Sequence, residues 1–208
     1  MHRPEAFRED RLEILQAAIR AHPLATLITA GPGGLMANLV PFTLIEGGQR
    51  GVLRAHLARA NGQLAELAAC DEALVMLQGP QAYITPSWYA SKREHGKVVP
   101  TWNYVAVQAR GRPAVMDEAG WVREQIGALT TQQEASRAEP WAVTDAPDAY
   151  IAAQLRGIVG VEIPIDRLEG KWKVSQNRGA ADRQGVEAGL GGEAEDEAMA
   201  RLVAQAGS

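Results

Sequence analysis

The chain has 208 residues, 46% of them apolar, enough to bury a core as one domain with appendages. No apolar run nears the ~20 residues of a membrane helix, and Arg8-Glu9-Asp10-Arg11 stands where a signal peptide would need an apolar stretch, so a soluble, cytoplasmic protein is expected. A net charge of −4 weighs against direct DNA contact, which calls for a basic face, and the lone Cys70 rules out an internal disulfide and a cysteine metal cluster.

Residues 10–21 read as an amphipathic helix. Asp10 and Glu13 form a capping box, Leu12, Leu15 and Ile19 share a face, and His22-Pro23 ends it. The period then becomes extended: 25–29 and 35–40 are strands across the turn Gly31-Pro32-Gly33-Gly34. Leu44-Ile45 and 51–57 suggest a second hairpin, and 61–70 a short helix. Residues 73–78 and 81–86 read as a hairpin turning at Gly79-Pro80, 102–110 as a strand and 114–116 as another. Helices follow over 118–135 and 146–156, then a strand over 159–165. In the tail, Gly189 to Gly192 reads as a hinge before a mostly polar last helix, 193–206. The expected division is a domain over 1–190 and a peripheral C-terminal helix over 191–208. Six or seven short antiparallel strands predict a mainly β protein with helical decoration (α+β), a small barrel; periodicity also accommodates a sandwich.

Three segments carry chemistry. His56-Leu57-Ala58-Arg59-Ala60-Asn61 lies where a strand gives way to a helix, a place that favours anions, and Arg59 brings a fork suited to phosphate. Arg54 alternates with His56, so both face one side of the sheet. The plainer role makes Asn61 a helix cap and Arg59 a solvated surface residue. The second segment is the loop Ser87–Thr101, flanked by Trp88 and Trp102, whose rings can stack on a heterocycle; His95 and Lys97 are its titratable groups. It equally fits an exposed hairpin tip. The third, Lys171-Trp172-Lys173-Val174-Ser175-Gln176-Asn177-Arg178, is too polar for core, and its amides offer the donors and acceptors that a flavin edge presents. A dimer clasp is a compatible role. Dinucleotide, P-loop, zinc-protease and nucleophile-elbow motifs are absent, and the histidines at 2, 22, 56 and 95 have no metal-site spacing.

Several pieces occur in one order: Pro4-x-x-Phe7, Ala25-Thr26-Leu27, Gly51-x-Leu53-x-x-His56-Leu57-Ala58-x-x-Asn61, Glu139-Pro140-Trp141-Ala142-Val143, Ile163-Pro164-Ile165, Leu168-Glu169-Gly170-Lys171 and Lys173-x-Ser175-Gln176-Asn177-Arg178. Through them the chain, over about Pro4 to Leu190, resembles the PaiB family, described as FMN-binding negative transcriptional regulators. The resemblance implies a split β-barrel homodimer with FMN between subunits. Carried over, Arg59 and Asn61, helped by Arg54 and His56, would hold the phosphate. Trp88, Lys97, Thr101, Trp102, Asn103, Lys173, Gln176 and Asn177 would surround the ring, with no metal. Lys97 or Lys173 would stabilise the anionic reduced flavin. Three activities stay open: a negative transcriptional regulator, a flavin-dependent oxidoreductase acting on a small molecule, and a haem protein with His56 or His95 as axial ligand. No helix-turn-helix with a basic recognition helix is visible.

Overall fold

The computed structural model describes residues 1–206. In chain order it contains β1 (Arg8–Glu9), α1 (Leu12–Ala21), β2 (Leu24–Gly31), β3 (Gly34–Pro41), β4 (Thr43–Ile45), β5 (Val52–Ala58), α2 (Gln63–Ala69) and β6 (Ala73–Ile84). Then come α3 (Ser91–His95), β7 (Thr101–Gly111), β8 (Ala114–Met116), α4 (Ala119–Glu134), α5 (Asp148–Leu155), β9 (Ile158–Pro164), β10 (Arg167–Lys173), α6 (Ala180–Gly192) and α7 (Glu197–Gln205). These elements form two compact units. The central unit holds residues 16–77 and 108–168, and the terminal unit holds, among the described residues, 1–15, 78–107 and 169–206.

In the central unit, β2 and β3 form a hairpin whose register runs from Leu24↔Pro41 to Gly31↔Gly34, leaving the two-residue loop Pro32-Gly33. Gly34 adopts φ 101°, a conformation that costs glycine little and other residues much. One face of the hairpin is buried through Ala25, Leu27 and Val40. β6 pairs with β2 over Leu74 to Met76. The second sheet has the order β4-β5-β9-β8. Along β5, Leu53, Ala55 and Leu57 are buried, so strand alternation turns Arg54 and His56 to the opposite face. α4 and α5 bury Val122, Ile151 and Leu155 together. A buried amide completes the unit: Gln63 Nε2 donates to the Leu27 carbonyl at 3.0 Å, and its Oε1 accepts from Asn38 at 2.9 Å.

The terminal unit is built on strands in the order β1-β10-β7-β6. Its core joins Ile84, Tyr89, Val105 and Val174 to Val186 and Leu190 of α6 and to Met199 and Val203 of α7. The last helix, expected at the periphery, thus buries two side chains in this cluster; Asp196 caps it by accepting from the Met199 amide at 3.0 Å.

Two expectations need correction. Gly79-Pro80 is no turn: β6 runs through it without interruption. Its pairing with β2 ends at Met76, before the proline, so the missing N–H breaks no bond of that ladder. Nor is Gly189 to Gly192 a hinge, because α6 continues to Gly192. Gly185 and Gly189, one helical turn apart, lie against Trp88: a Cβ at Gly189 would come within 2.3 Å of the indole, and one at Gly185 within 1.9 Å of the Trp88 carbonyl. These glycines allow close packing rather than flexure. The strands β1 and β10 were also outside the sequence expectation; they pair antiparallel through Arg8↔Lys171 and Glu9↔Gly170.

Candidate functional site

The expected phosphate residues all belong to the central unit. Arg54 is fully engaged there. Its Nε donates to Glu162 at 2.8 Å, its Nη1 to Glu124 at 3.0 Å, and its guanidinium lies 5.0 Å from the centre of the Trp121 ring. His56, next on the same face, meets Gln125 Oε1 through Nδ1 at 2.7 Å. Gln125 is buried, and its Nε2 has no hydrogen-bond partner.

Arg59 lies past the end of β5 and is exposed. Its fork embraces Asp117, with Nη1 to Oδ2 at 2.9 Å and Nη2 to Oδ1, while Nε donates to the Arg156 carbonyl at 3.0 Å. That pairing, chiefly through the shared hydrogen bonds, holds the Asp117 carboxyl below its ordinary range and raises the Arg59 pKa. Asn61 Oδ1 accepts from the Gln63 amide at 2.9 Å at the start of α2. A phosphate at Arg59 would have to displace Asp117, and an exposed ion pair of this sort is readily exchanged.

The terminal unit arranges its residues differently. Lys173, at the end of β10, points its ammonium at Thr101 Oγ1 and at the Trp102 carbonyl, both uncharged. Burial lowers its pKa, and the charges of Lys171 and Arg178 lower it further. Lys171, two residues along the strand and so on the same face, holds its Nζ 5.2 Å from the centre of the Tyr104 ring. Tyr83 and Trp102 meet edge to face at 6.0 Å and are about half exposed, at 50% and 51%. Half-exposed rings beside incompletely solvated ammonium groups suit a planar anion.

The turn after β10 is held from within. Ser175 is buried at φ 65°, a left-handed conformation that a side chain adopts only when its surroundings impose it. Asn103, also buried, donates to Ser175 Oγ at 2.9 Å. Gln176 spends both ends of its amide on the backbone: Oε1 accepts from Val174 N at 2.8 Å, and Nε2 donates to the Trp172 carbonyl. Asn177 is exposed. Arg178 places its guanidinium 4.6 Å from the Tyr89 ring centre. The Tyr89 hydroxyl is buried without a hydrogen-bond partner, and burial raises its pKa.

Thr101, Trp102, Asn103, Lys173 and Gln176 are therefore brought onto one short stretch of paired strands and its turn. Trp88 and Lys97 have other partners. The Trp88 indole donates to Glu193 at 3.0 Å, while exposed Lys97 gives only its backbone N–H, to His95 Nδ1 at 3.0 Å. Sequence reasoning gave Tyr83, Tyr104, Lys171 and Arg178 no ligand role of their own, although the last two mark the ends of its third segment. The signal was there in the period-2 spacing of Trp102 with Tyr104 and of Lys171 with Lys173. Among the described residues no group of three or more His, Cys, Asp or Glu could hold a metal ion, and no helix is long and apolar enough to cross a membrane.

Solved structures supply the class. The fold matches the FAD and Heme binding protein from Mycobacterium smegmatis with a TM-score of 0.60 at 18% identity, covering 80% of this chain and 73% of that one. The flavocytochrome Anf3 from Azotobacter vinelandii matches at 0.60 and 14%, over 83% and 72%. This is an antiparallel α+β fold of the flavin-binding split-barrel type. The family follows from the sequence: residues 1–167 match the family described as "Putative FMN-binding domain", and the chain belongs to that PaiB-type family. Relatives include an uncharacterized protein of Emericella nidulans, 37% identical over 88% of this chain and 87% of its own. The Bacillus subtilis protein named protease synthase and sporulation protein PAI 2 is 30% identical over 89% and 87%.

Proposed function

We propose that the protein binds FMN, with Arg59 and Asn61 at the phosphate and Thr101, Trp102 and Lys173 at the ring. The observation that carries the reading is the Lys173 ammonium, half-buried, held among the described residues by neutral oxygens and pressed by two further cations. Such a group favours negative charge placed beside it. FMN, when bound, supplies hydride or electron transfer; the chain supplies the binding and the positive charge next to the ring. Asn103 and Ser175 hold the turn that follows Lys173, and Arg54 and His56 brace the strand that leads to Arg59. The test is an absorbance spectrum and FMN titration of purified protein, repeated with Arg59→Ala. Flavin bands weakened by the substitution are expected; a colourless protein that takes up no added FMN would refute the reading.

The same proposal makes the protein a homodimer. On β2 and β3, directly opposed residues share a face, and the face carrying Leu24, Leu35 and Leu39 is exposed at 58%, 80% and 67%. Residues 24 to 41 include no charged side chain, so the surface complements an equally uncharged one, such as its own copy. Light scattering should give twice the monomer mass for the wild type and the monomer mass for Leu35→Glu with Leu39→Glu; a monomeric wild type would contradict this.

A regulatory role is the second reading, motivated by the likeness to the Bacillus protein and its name. With a net charge of −4, we place such regulation through a protein partner rather than DNA. A gel shift on promoter DNA that weakens steeply with salt would reverse that placement.

A further inference from the structure

The strands of the terminal unit pack one face on its core, through Ala82 and Ile84 of β6, Val105 of β7, Trp172 of β10 and the following Val174. Strand alternation turns Tyr83, Trp102, Tyr104 and Lys171 to the opposite face. Their contacts agree: Tyr83 meets Trp102 edge to face at 6.0 Å, and the Lys171 ammonium stands 5.2 Å from the centre of the Tyr104 ring. All four residues belong to the terminal unit, so their arrangement is internal to it.

This face is incomplete in two ways. Tyr83 and Trp102 touch each other and are both half-exposed, which makes a patch rather than a scatter of single apolar groups. Lys171, for its part, lacks a counter-charge. The residue directly opposed to it on β1 is Arg8, a second cation, which leans on Asp10 at 3.8 Å, and like charges so opposed disfavour the pairing. Glu169, two residues back on β10, is taken by the N-terminal ammonium at 3.2 Å and by Arg3 at 3.4 Å. Tyr104 offers Lys171 the negative face of a ring but no net charge. The geometry limits what could complete the face. The planes of Tyr83 and Trp102 are inclined at 70°, a corner that takes one planar group, whereas successive bases of a nucleic-acid strand need a series of ring faces. Trp102 and Tyr104, two residues apart on one strand, are separated by roughly 7 Å. A ring in the corner and an anion at Lys171 are therefore within reach of one small molecule.

We propose that Tyr83, Trp102, Tyr104 and Lys171 form a binding site for a small aromatic acid, its ring in the corner of Tyr83 and Trp102 and its carboxylate at Lys171. That the acid lies beside a flavin, as substrate or effector, rests on the FMN reading; the site itself does not.

The experiment is calorimetric titration of 3-phenylpropionate into FMN-loaded and into flavin-free protein. Two controls accompany it: 3-cyclohexylpropionate keeps the charge and loses the planar ring, and 3-phenylpropanamide keeps the ring and loses the charge. The aromatic acid should bind at one per chain, at least tenfold more tightly than either control, and without releasing FMN. Lys171→Gln should weaken the acid at least tenfold and leave the amide within twofold, a split that damage to the fold would not produce. Tyr83→Ala, at an exposed position, should weaken acid and amide alike by at least fivefold while FMN affinity stays within twofold. Equal affinity for the cyclohexyl acid would overturn the proposal, as would absence of binding or equal loss of acid and amide in Lys171→Gln. Release of FMN by the acid would also overturn it, since the face would then be the flavin's own seat. A protein that takes up no FMN yet binds the acid with this selectivity would end the flavin reading and leave the acid site standing. One that takes up FMN and ignores the acid would do the reverse.

Discussion

Arg54 and Arg59 in the central unit and Lys171, Lys173 and Arg178 in the terminal unit look alike in a sequence, as cations set among polar residues near strand ends. Their surroundings are opposite. Each central arginine is matched by carboxylates, Arg54 by Glu124 and Glu162 and Arg59 by Asp117. Lys171 and Lys173 have an aromatic ring, a hydroxyl and a carbonyl, while Arg178 lies over the Tyr89 ring and also feels the Asp182 carboxylate. A matched cation contributes to the fold that holds it. An unmatched, partly desolvated one works against its own fold, and persists where a ligand supplies the missing charge. Arg59, whose pair with Asp117 is exposed, stays open to exchange for a phosphate, whereas Arg54 is partly buried with Glu162, so burial and charge balance together separate a brace from a binding site.

The comparison can be broken or sharpened by substitution. The largest expected effect concerns the core beneath the terminal cations: Met199→Ala should cost about 2–5 kcal/mol in a denaturant melt, because Met199 is fully buried with Leu190 and Val203. A near-neutral result would show that α7 is not part of that core. Next, Arg54→Met should lower stability by about 2 kcal/mol, having stripped Glu162 and Glu124 of charge-assisted bonds. An unchanged melting midpoint would remove Arg54 from the list of braces. Asn103→Ala should cost about 1–3 kcal/mol by leaving buried Ser175 without its donor, and should weaken FMN uptake as well. Loss of stability without loss of uptake would separate the turn from the ligand.

A pH effect is the smallest and most selective. Burial alone would raise the Asp182 pKa, but the bonds from Ser91, together with the Arg178 charge and the Ala90 amide, make the net shift downward. A depressed folded-state pKa means that the stabilising contribution is present above the unfolded value, near 3.9, and is lost as pH falls through the folded value. Wild type and Asp182→Asn should therefore differ in melting temperature at neutral pH and converge in acid below about pH 3.9. A difference that persists undiminished at low pH would show that the Ser91 contact does not depend on the carboxylate charge.

Much of the fold could be read from local chemistry. The hairpin of β2 and β3 announces itself through Gly31-Pro32-Gly33-Gly34 between uncharged segments, and it folds in that register. β10 escaped because Arg167 to Lys173 offers no clean apolar alternation; its half-buried and exposed positions carry Arg, Glu and Lys. Gly79-Pro80 and Gly189 misled for one reason: glycine and proline mark turns when nothing else is known, and tertiary packing had other uses for them. At the site, residue types were legible and partners were not. The carboxylates that neutralise Arg54 lie 70 and 108 residues away in the chain, beyond the reach of any local pattern. The same distance hid Lys173 among neutral oxygens 72 and 71 residues removed.

Lys173→Met tests the central claim most directly, with melting temperature and FMN affinity measured on one preparation. A lysine whose folded-state pKa is depressed is a protein that binds fewer protons folded than unfolded, so its charge costs stability until pH passes the unfolded value near 10.4. The account predicts that flavin-free Lys173→Met melts no lower than wild type at pH 7, with any gain vanishing above about pH 10.4, while its FMN affinity falls at least tenfold. A variant that melts lower and binds FMN as tightly as wild type would make Lys173 a brace like Arg54, and would contradict the account.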